Sequence, residues 1–147
     1  MPGFTKVMPI SENDYRFKAP ISSITVAKND LLELVSGATN WTLCTSTSDH
    51  FTKKAIALQA ASTAATEVEC VMVTLHDVYE AETANNSAAA DNGDMMVLTD
   101  ANTVNNTGTN STAQVGVVVQ LAPVGAAAEK RILCQFVGLT GIDPDLT

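Results

Sequence analysis

The sequence predicts an all-β protein, a small β-barrel or β-sandwich, and three features predict it. Apolar residues fall in short runs rich in β-branched side chains, several of them alternating with polar ones. Clusters of Asn, Asp, Gly and Ser close each run in the manner of turns. The order of the runs also recurs once along the chain, as two repeated β-meanders would require.

Residues 1–20 break this texture. Pro2, Pro9 and Pro20 interrupt any regular element there, so the reading is an extended N-terminal arm. An all-β domain then spans 21–138, followed by a tail at 139–147 ending in Asp143-Pro144-Asp145-Leu146-Thr147. Within the domain, Ile24 and Val26 alternate with Thr25 and Ala27 before the Asn29-Asp30 turn. Leu31, Leu32, Leu34 and Val35 follow, ending at Ser36-Gly37, and Trp41 with Leu43 opens another short strand. The next apolar pieces are Ala55 to Ala61 and Val68 to Leu75, the latter alternating around Val68, Cys70 and Met72. Glu80 to Asn92 reads as a polar loop, although alanine propensity also permits a short helix there or at Ala57 to Ala65. Met95 to Leu98, Val115 to Leu121 and Ile132 to Val137 supply the last strands, and Asn105 to Thr112 is a polar loop between them.

The repeat is visible residue by residue. Asn29-Asp30-Leu31-Leu32 with Leu34 matches Gly93-Asp94-Met95-Met96 with Leu98 at an offset of 64 residues. Ile56 to Gln59 matches Val117 to Gln120 at an offset of 61, and Val68, Cys70 and Met72 match Ile132, Cys134 and Phe136 at 64. Alternation predicts a core of Leu32, Leu34, Ile56, Leu58, Val68, Cys70, Met72, Val117, Val119, Ile132, Cys134 and Phe136.

Composition narrows the function. The 147 residues are 46% hydrophobic, much of it alanine, and only 5% aromatic, so the core is thin and association is expected. The net charge is −8, and all eight bases lie outside Ala55–Glu129, a stretch holding nine acids. Such a body repels phosphate backbones, which argues against nucleic acid as a partner. The first 28 residues run the other way, with Lys6, Arg16, Lys18 and Lys28 against Glu12 and Asp14. No apolar run reaches the roughly 18 residues of a membrane helix or resembles a secretory signal. Three widely spaced cysteines fit a reducing compartment, so synthesis in the cytoplasm is expected.

The residues offer little chemistry. His50-Asp49 and His76-Asp77 are sequence neighbours, whose side chains on a strand point to opposite faces. Cys70 and Cys134 fall on alternating apolar positions, where a thiol packs as a small hydrophobe. No short-spaced Cys/His set, phosphate-binding loop or calcium loop is present; Asp91, Asp94 and Asp100 lack the required spacing. The expectation is therefore a protein with no catalytic residues, no metal and no cofactor.

One stretch carries a resemblance. Gly93-Asp94-Met95-Met96-Val97-Leu98-Thr99-Asp100-Ala101-Asn102-Thr103-Val104 is followed by Val115-Gly116-Val117, an Ala/Gly-rich turn at Ala122 to Ala128, and a closing strand Ile132 to Val137. This order, over about Ala27 to Gly138, resembles the capsid decoration (cement) proteins of tailed phages. The chain departs from that pattern in its Asn/Thr insertion after Val104 and in its long N-terminal segment. The resemblance implies a structural protein on the outer capsid surface of a virion, binding the major capsid protein and forming a homotrimer. The arm residues Phe4, Lys6, Val7, Met8, Ile10, Tyr15, Arg16, Phe17 and Lys18 are the expected capsid contacts, through apolar side chains on an extended, cationic segment. A second reading is a tail-associated or receptor-binding adhesion module, which the scarcity of aromatic stacking platforms disfavours.

Overall fold

A computed structural model describes residues 3–48, 52–75, 77–86, 92–105, 114–121 and 130–137, with strand 114–121 described by its backbone alone. Among them the structure is all-β, without helix, and each strand is short enough for one alternating run to fill. The strands are β1 (Phe4–Lys6), β2 (Arg16–Pro20), β3 (Leu31–Leu34), β4 (Thr42–Leu43), β5 (Lys53–Ala57) and β6 (Glu67–Met72), followed by β7 (Tyr79–Glu82), β8 (Met95–Leu98), β9 (Val104–Asn105), β10 (Gln114–Leu121) and β11 (Arg131–Phe136). One sheet runs β2-β6-β5-β3-β4, and the other β1-β7-β11-β10-β8-β9. Every strand-to-strand ladder is antiparallel.

Apart from β1, the two sheets have the same strand order, and their registers coincide. Leu31 faces Ile56 across β3 and β5, and Met95 faces Val117 across β8 and β10. Ala57 pairs with Cys70, and Val118 with Cys134. Phe17 opposes Cys70, and Tyr79 opposes Cys134. The repeat is therefore a repeat of backbone pairing, with two five-stranded units in tandem. Each unit curls until its end strands meet. In the second, Thr83 bridges Val104 in parallel and Ala84 N–H donates to Val104 O at 2.7 Å. In the first, Trp41 N–H donates to Pro20 O at 2.8 Å.

Alternation explains the two cores. The inward row of the first unit is Ala19, Leu32, Ala55, Ala57, Val68 and Cys70, closed by Ile21, Val26 and Trp41. The second unit buries Tyr79, Ala81, Met96, Leu98, Val104, Ile132, Cys134 and Phe136. That cluster also contains Leu31, Ile56, Val71 and Val73, which point out of the first unit. The outward row of one unit thus seals the interior of the other. Strand β5 is accordingly buried on both faces from Lys54 to Ala57, and its alanines permit the close packing.

Several sequence expectations change here. Leu34, Leu58 and Met72 are half-buried rather than core, while the side chains of Val117 and Val119 lie outside the described residues. Ile24 to Ala27 forms no strand: only Val26 is bridged, to Ala61, as the segment folds over the first unit. The polar loop expected from Glu80 begins instead as β7, where Tyr79 and Ala81 point inward and Glu80 and Glu82 outward.

The larger correction concerns the arm and the boundary at residue 20. Phe4 to Lys6 is a strand paired with β7 of the second unit, and Arg16 to Pro20 is a strand paired with β6 of the first. Pro20 is tolerated because β2 is an edge strand and Pro20 ends it. Residues 3–20 form a clasp across both units. Gly3 starts it at φ +102°, where a Cβ would lie 2.5 Å from Asn29 O, so the close approach requires glycine. Phe4 N–H donates to that same Asn29 carbonyl at 2.9 Å. The tail 139–147 lies outside the described residues.

Candidate functional site

The nine expected contact residues divide by position. Phe4 is fully buried, its ring 5.6 Å from that of Phe136, and Phe17 is half-buried against Trp41 at 5.2 Å. Neither is available to a partner in the way an arm would require. Alternation does not show either strand: β1 has only three residues between Pro2 and Pro9, and β2 sets Phe17 and Ala19 among Arg16, Lys18 and Pro20.

The bases are engaged inside the chain. Lys6 Nζ donates to Asp14 Oδ1 at 2.6 Å and lies 3.6 Å from Asp77 Oδ2. Arg16 pairs with Glu69 at 2.9 Å and Lys18 with Glu67 at 3.6 Å, both on the surface. The cationic excess of the segment is thus largely spent on carboxylates of the clasp and of the neighbouring strands. Hydrogen bonding to Asp14 raises the Lys6 pKa above its ordinary value, burial opposing. The same bond, with a second from the Ser11 amide, holds the Asp14 carboxyl below the usual range.

Of the apolar contact residues, four remain exposed. Val7, Met8, Ile10 and Tyr15 are 49%, 67%, 39% and 66% accessible, each large for such a side chain. The loop that presents them is pinned at both ends. Val7 N–H donates to Val78 O at 2.9 Å, and Met72 N–H donates to Tyr15 O at 2.9 Å. Its tip is a β-turn, Asp14 N–H donating to Ser11 O at 3.1 Å, and the Asp14 carboxylate closes it by accepting from Ser11 N–H at 2.7 Å. Beneath it lies a cavity of about 260 Å³ bounded by Phe4, Pro9, Ile10, Ile56, Leu58 and Val71. The site is therefore a fixed apolar ridge from Val7 to Ile10, with Tyr15 beside it stacked on Phe17 at 5.4 Å.

Elsewhere the polar groups are enclosed. Glu33, buried on the outward face of β3, accepts from Ser48 Oγ at 2.8 Å and Thr52 Oγ1 at 2.9 Å. Lys54, fully buried, lies 4.0 Å from Glu33 and donates to Thr52 Oγ1 at 2.6 Å. Such a satisfied cluster fixes the register of β3 and β5. Cys70 and Cys134 occupy equivalent, fully buried positions, and burial pushes both thiols up to about 12. Cys44 is buried as well, its thiol pushed up by burial and by the nearby Glu33. These thiols are held far from the thiolate form that reacts. Asp100 accepts from Asn102 N–H at 2.9 Å, as a turn carboxylate does. His50, His76 and Asp91 lie outside the described residues. No group of three His, Cys, Asp or Glu side chains converges among the described residues. No family model, curated protein or solved structure matches the chain.

Proposed function

We propose that this chain is a capsid decoration protein that binds the outer surface of an icosahedral phage head and stabilises it, as a homotrimer made in the host cytoplasm. The observation that supports this best is the apolar ridge Val7–Ile10, held by backbone hydrogen bonds between two strands that belong to different units. A ridge already ordered before contact loses little conformational entropy on docking to the major capsid protein. The expected cationic contact is revised with it. Lys6, Arg16 and Lys18 position the clasp through ion pairs, and the apolar side chains carry the contact. An acid-rich second unit, with polar loops, suits a surface that faces solvent.

The adhesion reading ranks second. Among the described aromatic residues Tyr15 alone is exposed, a narrow platform for a sugar ring. The two readings separate on one experiment. Val7→Ser, Met8→Ser and Ile10→Ser are combined, and binding to undecorated heads of the cognate major capsid protein is measured beside the melting temperature. The expected result is an unchanged fold with affinity reduced at least tenfold, about 1.4 kcal/mol. Undiminished binding, or no binding by the parent protein, would overturn the proposal.

A further inference from the structure

Six large apolar side chains stand exposed among the described residues, and three of them lie off the ridge: Tyr15, Val35 and Met95. Tandem equivalence explains the last two. Inside the chain, the turn after β8 seats on the first unit: Ala101 is buried and its carbonyl accepts from Leu31 N–H at 2.7 Å. Asn102 Nδ2 reaches Asp30 Oδ1 beside it, at 3.4 Å. The repeat offset of 64 places Gly37 where Ala101 stands, Met95 where Leu31 stands, and Asp94 where Asp30 stands. Yet Leu31 and Asp30 are buried, while Met95 and Asp94 are exposed. The first unit shows the complementary lack. Phe17, Leu34 and Met72 are half-buried, whereas their counterparts Tyr79, Leu98 and Phe136 are closed over. Beside Val35 and Gly37 lies an empty pocket of about 440 Å³, with Leu34 and Ala38 in its wall and Lys53 on its rim. Each chain thus has one used and one unused copy of each half of the same interface.

We propose that a second copy of the chain completes the series head to tail. Met95 of one copy enters the pocket beside Val35 of the next, as Leu31 meets the turn after β8 within the chain. Charge favours this arrangement over a symmetric one. Residues 16–75 carry five acids and five bases, whereas 77–137 carry seven acids and two bases. Head-to-tail contact sets the acidic unit against the neutral one, with Asp94 approaching Lys53; a symmetric pair of second units would set acid against acid. The contact is heterologous, so the copies close into a ring when the rotation permits. It uses none of Val7, Met8 or Ile10 and does not rest on the capsid reading.

The test is complementation by light scattering. Val35→Asp and Met95→Asp each destroy one half of the interface and leave the other intact. The parent protein is expected to form a closed oligomer, each variant alone to be monomeric with an unchanged circular-dichroism spectrum, and the two mixed to form a one-to-one dimer. A parent that stays monomeric at its highest soluble concentration overturns the proposal. So do variants that still assemble, or a folded mixture that yields no dimer. A second arm covers misfolding of either charged variant. Val35→Cys and Met95→Cys chains are mixed and treated with a short bis-maleimide, the native thiols being buried. The expected adduct joins 35 to 95; adducts of 95 to 95 alone overturn the head-to-tail geometry.

Discussion

Asp14 accepts two hydrogen bonds, from Lys6 Nζ and from the Ser11 amide, and protonation would weaken both. Because its folded pKa lies below the ordinary 3.8, it stabilises the fold fully above that value and loses the contribution as pH falls through its depressed pKa. Lys6 behaves oppositely. Its raised pKa gives a contribution present below 10.5 that disappears as pH climbs through the raised value. The pair sits near the surface, so Asp14→Asn is expected to cost about 1 kcal/mol at neutral pH. The loss should shrink toward zero well below pH 3.8, read from urea midpoints of parent and variant along the acid limb. An equal loss at both ends would mean that packing of the loop, and not the ion pair, is disturbed. The cationic character legible at Lys6 in the sequence was real; its partners were not legible, because Asp77 is brought to it only by the pairing of β1 with β7.

Strands β1 and β2 decide whether the N-terminal segment is an appendage or part of the fold. The strands with clear alternation, β6, β8 and β11, were readable from sequence because each shows at least two inward apolar residues. The tandem repeat was readable for the same reason, and even its irregular offset of 61 at β5 and β10 returns as the observed register. β1 offered only Phe4, and β7 hid behind Ala81 and two glutamates. Of the candidate site, the apolar residues of the loop were legible, whereas the burial of Phe4 followed from a partner strand distant in sequence. Deleting residues 1–18 provides the check. It strips β1 and most of β2 and opens a core that Phe4 fills, and loss of a buried phenylalanine side chain alone costs about 3–5 kcal/mol. A small domain is stable by only about 5–15 kcal/mol, so the truncated chain is expected to lose its cooperative thermal transition. An intact transition would return the segment to the status of a dispensable arm.

At the scale of the whole molecule, the question is whether two units with the same pairing melt separately. Tandem repeats uncouple when the interface between them is weak compared with the units themselves. Here the interface is a core. Leu31, Ile56, Val71 and Val73 leave the first unit and are buried in the cluster that holds Met96, Leu98, Ile132 and Phe136 of the second. Exposing four such side chains costs about 1.5–3 kcal/mol each, a sum comparable to the stability of a small domain. The clasp adds to the coupling, since β1 belongs to one sheet and β2 to the other. Neither unit can then unfold while its neighbour stays native. Scanning calorimetry is expected to give one transition whose calorimetric and van't Hoff enthalpies agree. The measurement belongs at low protein concentration, because association would raise the melting temperature with concentration. Leu31→Asp tests the cause by placing a carboxylate in the shared core, next to the turn at Ala101. It should lower the transition steeply or split it in two, with the first unit's own inward row, from Ala19 to Cys70, left as a separate melting body. Two transitions in the parent protein would show instead that the shared cluster is weaker than its burial implies, and that the units are independent domains.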